Sequence, residues 1–287
     1  MKGVKDMHDI FYFTDIHGMY DLYRAIMDWC DEQDPEAMII FGGDACDRGE
    51  RGYEIIKELL ANPRVVYLMG NHEELFCKAA REINAIFDFQ TTDRTKIANT
   101  LNATLADNVQ LRDIQIHIYN GGLSTLIDWI EDGAPMDIIE RLEKLPLTFS
   151  TKTCDFCHAG GNPQVFEYVA ECEYYKREMD KYHRIHVIWD RTHIENIWRD
   201  KRMCIFGHTP VLALPSLIPI RLDDTLDPQP IKLALDTKID MDTGAAFRGV
   251  AWVLNVLTME AQGFEDVDIT NKEIRKHDVK KIYSIQM

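Results

Sequence analysis

The sequence has no apolar run long enough to span a bilayer, which needs about 20 residues, and this excludes a membrane-spanning helix. Its first segment, "MKGVKDMHDIFYF", has only a short apolar stretch interrupted by charges. That is not the pattern of a secretory signal, and the expected location is cytoplasmic, with no membrane partner. The seven cysteines are an odd number with no regular spacing, so no disulfide framework is expected, in keeping with a reducing compartment. Internal repeats, low-complexity tracts and Gly/Ser linkers are also missing. A single domain over 1–287 is therefore expected, although a division near 150 would be the alternative. Positive charge is scarce: 32 Lys and Arg stand against 48 Asp and Glu, for a net charge of −16. Such a surface argues against extended nucleic-acid binding, and it admits an anionic substrate only where local cations override the field. Hydrophobic residues, at 46%, are plentiful enough for a real core.

What is present begins with an alternation. "DIFYF", "AMIIFGGD" and "RVVYLMGN" are β-rich and end in polar loops. "YDLYRAIMDWC", "RGYEIIKELLAN" and "FCKAAREINAIF" carry helical spacing. Strand, polar loop and helix, three times over, predict an α/β layer with its ligand site beyond the carboxyl ends of the strands. Residues 85–150 differ. They predict a mainly helical insertion, with "NGGLSTLIDWIE" and "PMDIIERLEKLP" as its clearest helices. Strands return in "KTCDFCHAGG", "RMCIFGHTP", "IKLALDTKIDMDTG" and "GVAWVLNVLTME". These predict a second, more antiparallel sheet completing a sandwich.

Five of the loops carry metal-ligating residue types: Asp15 and His17, Asp44 and Asp47, Asn71 and His72, His158, and His208. In extended backbone, residues two apart share a side, so Asp15 and His17 can face one ion. Carboxylate, imidazole and amide together suit manganese, iron or zinc. Each piece alone has an ordinary explanation. "GHTP" is a turn, and "GNHE" is a helix start with Glu73 and Glu74 near the positive end of the dipole. Their recurrence at the same end of successive strands favours a shared centre. His8, His117, His183, His186, His193 and His277 lie outside these loops and are read as surface or packing residues. Cys154 and Cys157, three apart on a strand, face opposite sides and should not converge. The basic stretch "NKEIRKHDVKKIY" is read as a solvated face.

The series "DIHG", "GGDACDRG", "GNHEE", "CHAGG" and "GHTP" resembles the calcineurin-like metallophosphoesterases of the phosphoprotein phosphatase type. The look is nearest to phage and bacterial serine/threonine protein phosphatases and the symmetrical diadenosine tetraphosphatases. "NGGLST" and "IDMDTGAAFRG" look like that branch too. Thr14 stands where the family usually has glycine, and Gly161 and Asn162 replace an apolar and a charged residue. The resemblance implies a four-layer αββα sandwich of two mixed β-sheets with a helical insertion, and two divalent ions, manganese first, with iron or zinc as alternatives. It implies that Asp15 and His17 hold the first ion, that Asp44 bridges, and that Asn71, His158 and His208 hold the second. Arg48 and, through "IWDR", Arg191 would grip phosphate oxygens beside Asn71. His72 would be the general acid, oriented by Asp47.

The implied reaction is hydrolysis of phosphate monoesters by a metal-bridging hydroxide, with phosphoserine and phosphothreonine of a protein as substrates. The alternatives are a symmetrical bis(5′-nucleosyl)-tetraphosphatase with a nucleotide substrate, and a catalytically silent phosphate- or metal-binding module.

Overall fold

A computed structural model describes residues 8–89, 91–107, 111–160, 184–195, 202–213, 229–233, 237–268 and 273–281. The first three units are those expected: β1 (Ile10–Phe13) and α1 (Tyr20–Gln33), β2 (Met38–Phe41) and α2 (Gly52–Ala61), β3 (Val65–Tyr67) and α3 (Asn71–Ile86). β1, β2 and β3 pair in parallel, with Phe13 beside Phe41 and Phe41 beside Tyr67. All three strands therefore end at one rim. Four helices follow: α4 (Arg94–Asp107), α5 (Arg112–Tyr119), α6 (Leu123–Glu131) and α7 (Met136–Leu142). The last two lie within the stretches "NGGLSTLIDWIE" and "PMDIIERLEKLP" expected to be helical, and are shorter than them.

The remaining strands are β4 (Thr148–Ser150), β5 (Cys154–Cys157), β6 (Met203–Phe206), β7 (Ile231–Leu233), β8 (Lys238–Asp240), β9 (Val250–Asn255), β10 (Glu260–Asp268), β11 (Glu273–Lys276) and β12 (Lys280–Lys281). One sheet runs β11-β10-β9-β1-β2-β3, with β12 on β10; the other runs β4-β5-β6-β8-β7. Both are mixed. The expectation of a more antiparallel second sheet needs correction. The β5–β6 and β6–β8 pairs at its centre are parallel. The antiparallel strands of "GVAWVLNVLTME" join the first sheet through β9 and β1. Strand character is a local property, whereas the choice of partner is made by long-range burial.

The core is layered as strand alternation requires. Phe11, Phe13, Ile39, Phe41 and Val253 face the helices. Tyr12, Ile40, Trp252 and Leu254 face the other way and meet Phe156, Ile205 and Ile239 of the second sheet. Beyond that sheet, Cys157, Cys204 and Phe206 pack with Val187, Ile188 and Ile194, and residues 184–189 are helical. The result is the αββα order. Cys154 lies in the inter-sheet cluster and Cys157 in the outer one, as their spacing requires; Cys157 Sγ instead sits 3.9 Å from Cys204 Sγ. Among the described residues no helix is long and apolar enough to cross a membrane. Of the basic stretch, Arg275 and Lys276 lie on edge strand β11 and pair with Glu265 and Glu32. Gly161, Asn162 and His183 lie outside the described residues.

Candidate active site

The rim formed by the ends of β1, β2, β3, β5 and β6 collects the expected residues. Its loops are sewn together by backbone bonds: Asp15 N donates to Gly43 O at 3.0 Å, His17 N to Asp44 O at 3.0 Å, and Gly207 N to His158 O at 2.8 Å. The two sheets meet where His208 N donates to Asp15 Oδ2 at 3.0 Å. These loops are conformationally costly. Asp15, His17, Asp44, Asp47, Arg48 and His208 all have positive φ, between 47° and 72°. Non-glycine residues rarely adopt such angles, and strain of this kind concentrates at functional sites. Gly43, at φ 100°, allows a close approach: a Cβ there would lie 2.7 Å from Gly70 N and 3.0 Å from His158 Nδ1.

Asp15, His17, Asp44, Asn71, His72, His158 and His208 are all buried. Ligand atoms of His17, Asp44 and His72 form one group within 4.8 Å of one another, and those of Asp44, His158 and His208 form another. Asp44 is common to both. Asp15 is placed differently from the other expected ligands. Its Oδ2 accepts the Thr14 hydroxyl at 2.6 Å as well as the His208 N–H. His72 stands in the first group in its stead. Asn71 Oδ1 lies 3.0 Å from His158 Nε2 and 2.8 Å from His208 Nδ1.

The donor set fits a divalent cation. Three imidazoles each turn one nitrogen to a backbone carbonyl: His17 Nδ1 to Cys46 O at 2.9 Å, His158 Nδ1 to Gly42 O at 2.9 Å, and His208 Nε2 to Trp189 O at 3.3 Å. This fixes which nitrogen carries the proton and aims the other's lone pair inward, as metal-ligating histidines require. The inward nitrogens of His158 and His208 then face oxygens of Asn71 and Asp44, while that of His17 is met by the Arg48 guanidinium. Protons show where the positive charge is wanted. Burial opposes charge on His158, yet Asp44 and Asp15 outweigh it and push the imidazole up to about 10. Burial pushes His17 down to about 3 and, with His158 and Arg191, His208 to about 2. Burial also works against the Asp44 carboxylate, but His158 and His72 hold it well below the usual range.

Beside this cluster, His72 Nδ1 donates to Asp47 Oδ2 at 2.7 Å. Asp44 and Asp47 together outweigh burial and raise the histidine above its ordinary value. His72 Nε2 is left facing the site. The Arg48 guanidinium lies across it, with Nη2 3.0 Å from His72 Nε2 and Nη1 against His17 Nε2. Arg48 also lies 5.1 Å from the ring centroid of Phe247, which is 67% exposed. Arg191 is at the same mouth, with Nη2 donating to His208 O at 3.4 Å.

Three residues join the site that the sequence did not assign to it. Glu73 is fully buried and accepts four donors: Asp44 N at 2.8 Å, Gly70 N at 3.0 Å, Ala45 N at 2.7 Å and the Tyr67 hydroxyl at 2.8 Å. It ties the bridging loop to the start of α3 rather than merely flanking a helix dipole. The acidic residue three places after the glycine of "GNHE" is the signal that could have found it. Thr125 of α6 donates its hydroxyl to Asp47 Oδ1 at 2.9 Å. His117 of α5, read as a surface or packing residue, is fully buried with Nδ1 3.3 Å from Asp47 Oδ2.

Comparison with known proteins gives three kinds of result. The family model for calcineurin-like phosphoesterases matches residues 8–212. No curated protein matches the chain. Similar solved structures include a protein provisionally designated a diadenosine tetraphosphatase, 13% identical over 95% of this chain and 94% of that one, with a TM-score of 0.47. A metallophosphoesterase from Sphaerobacter thermophilus is 15% identical over 87% and 84%, with a TM-score of 0.48. A protein serine/threonine phosphatase from Saccharomyces cerevisiae is 11% identical over 98% and 81%, with a TM-score of 0.44.

Proposed function

Because the chain belongs to the calcineurin-like phosphoesterase family, its His–Asp centre has a defined kind of chemistry, and we propose that it hydrolyses phosphate monoesters, with phosphoserine and phosphothreonine of proteins as substrates. The observation that carries this reading is the His72–Asp47 pair standing beside Arg48 and the convergent acceptors around Asp44. Asp15, His17, Asp44, Asn71, His158 and His208 would hold two divalent cations, manganese first and iron or zinc in its place. Bound there, such ions neutralise phosphate charge and make water nucleophilic at neutral pH.

The chain's own groups supply the rest. Phosphate oxygens would draw the Arg48 guanidinium into two-point hydrogen bonding and so uncover His72 Nε2. Arg191, beside His208, would meet a further oxygen. With Nδ1 held by Asp47, His72 has its transferable proton on Nε2 and gives it to the leaving oxygen. A serine alkoxide is strongly basic and leaves only with that proton. A silent binding module would have no use for an oriented proton donor.

One observation favours a second reading. The exposed Phe247 ring over Arg48 offers a stacking face for a nucleobase, which suits a symmetrical dinucleoside tetraphosphate. Parallel assays on a phosphoserine peptide and diadenosine tetraphosphate separate the two.

The mechanism is tested by His72→Asn with its metal content measured. The expected result is two ions retained and phosphoserine hydrolysis reduced about 10²–10⁴-fold, with p-nitrophenyl phosphate much less affected. Loss of one ion together with equal damage on both substrates would make His72 a ligand instead.

A further inference from the structure

The segment 117–125, which links α5 to α6, touches the catalytic turn at five points, one of them the Ser124 hydroxyl donating to Gly49 O at 3.0 Å. Thr125 Oγ1 accepts Asp47 N at 3.1 Å and donates to Asp47 Oδ1 at 2.9 Å. The hydroxyl proton therefore has one direction, and the carboxylate is pinned to its own backbone. His117 brings its Nδ1 to 3.3 Å from Asp47 Oδ2, the oxygen that also accepts from His72. Gly121 O accepts Arg48 N at 2.9 Å.

The surroundings of His117 are built to hold it there. Its ring stacks on Phe76 of α3 at 5.8 Å between centroids. A Cβ at Gly122 would come within 2.3 Å of its Nε2, so only glycine fits beneath the ring. Neither ring nitrogen makes a hydrogen bond in the structure, although both are buried. A buried polar side chain without such a partner is costly, and packing alone would be better served by phenylalanine. The group His117 faces is Asp47. Asp47 itself is buried at a φ of 71°, a conformation that persists only where neighbours over-determine it.

We propose that Thr125 and His117 are positioning residues for the proton donor: the helices over the site hold Asp47 in the one orientation that aims His72 at the leaving oxygen. This rests on the reading of His72 as the general acid. It makes the helical segment part of the catalytic apparatus rather than only a wall of the mouth.

The test uses the full-length, manganese-loaded chain and a series of aryl phosphates running from p-nitrophenyl to phenyl phosphate. Leaving-group basicity rises along the series, so the slope of log kcat reports how much proton donation the enzyme supplies. His72→Asn calibrates the slope without the acid. Thr125→Val, which keeps the shape and removes the hydroxyl, should steepen the slope in the same direction. The expected loss in kcat on phenyl phosphate is about tenfold, a part of the 10²–10⁴ that general acid catalysis contributes. On p-nitrophenyl phosphate the loss should be no more than about twofold, with KM and bound manganese unchanged. Thr125→Ser should restore the wild-type slope. His117→Asn, which keeps a donor near the Nδ1 position, should fall between wild type and Thr125→Val.

A steepened slope in His72→Asn with a wild-type slope in Thr125→Val overturns the positioning role alone. A wild-type slope in His72→Asn overturns the general-acid reading beneath it. Loss of fold or of manganese in both Thr125→Val and His117→Asn makes the two residues packing elements, and that also overturns the proposal.

Discussion

Glu73→Gln is the most exacting perturbation of the site that leaves every expected ligand in place. The carboxylate is fully buried, and three of its four partners are backbone N–H groups that can only donate. Only an acceptor on both oxygens satisfies them. Burial and Asp44 push the Glu73 carboxyl up, while the N–H groups of Asp44 and Ala45 and the Tyr67 hydroxyl pull it down. In the glutamine variant the best arrangement turns the amide nitrogen toward Ala45 N and Tyr67. The tyrosine hydroxyl can rotate and accept, but the Ala45 N–H is left unpaired in the interior, at about 1–3 kcal/mol. The two donors on the other oxygen lose their ionised acceptor, at about 1 kcal/mol each. Relief of a desolvated charge near Asp44 offsets part of this. The net is about 3 kcal/mol, or a fall of about 6 °C in melting temperature for a chain of this length. The measurement is thermal unfolding in excess chelator, so that cation binding does not contribute. Tyr67→Phe removes one bond of the four and should cost only about 1 kcal/mol. A Glu73→Gln midpoint within about 1 °C of wild type would contradict the role given to this carboxylate; so would a Tyr67→Phe effect as large as that of Glu73→Gln.

Two further outcomes are expected. Elemental analysis of Asp44→Asn should show severe loss of both ions, because that carboxylate belongs to both ligand groups; unchanged stoichiometry with full activity would remove the shared ligand. Arg48→Ala should keep its metal content and lose about 10²–10³ in kcat, the usual cost of deleting an oxyanion stabiliser. Arg191→Ala should behave alike, and a silent Arg191→Ala would place the second clamp elsewhere.

The parts of this molecule that were legible in the sequence are those encoded locally. Phe11, Tyr12 and Phe13 in a row announce a strand buried on both faces, and Asp15 and His17 follow at its end. The same grammar recurs at β2 and β3, so the residues expected as ligands could be gathered before any tertiary contact was known. Arg191 is reached only through the likeness of "IWDR" to a family motif; the structure puts its Nη2 3.4 Å from His208 O. Glu73 was not legible, because its partners Asp44 N and Ala45 N lie 29 and 28 residues away. A glutamate in the first turn of a helix looks the same whether it faces water or folds back. His117 was missed for a similar reason. Its neighbours on α5 include exposed Tyr119 and half-buried Gln115, and nothing in that stretch signals Asp47. The partners of β9 and β10 were hidden too, since alternating apolar residues specify a strand and not the sheet that receives it.

The left-handed backbone at Asp15, His17, Asp44, Asp47, Arg48 and His208 bears on portability. Each such residue costs about 1–3 kcal/mol, so none of these loops would take up its shape as an isolated peptide. The shape is imposed from outside, by bonds such as Asp15 N to Gly43 O and His208 N to Asp15 Oδ2 that run between loops distant in sequence. Transplanting "TDIHG", "GGDACDRG" and "GHTP" onto the strand ends of another sheet would carry over the donor atoms without their directions. The transferable unit is the pair of docked sheets together with α3 and its Glu73, and any recipient scaffold would have to reproduce that contact before the motifs could meet at one point.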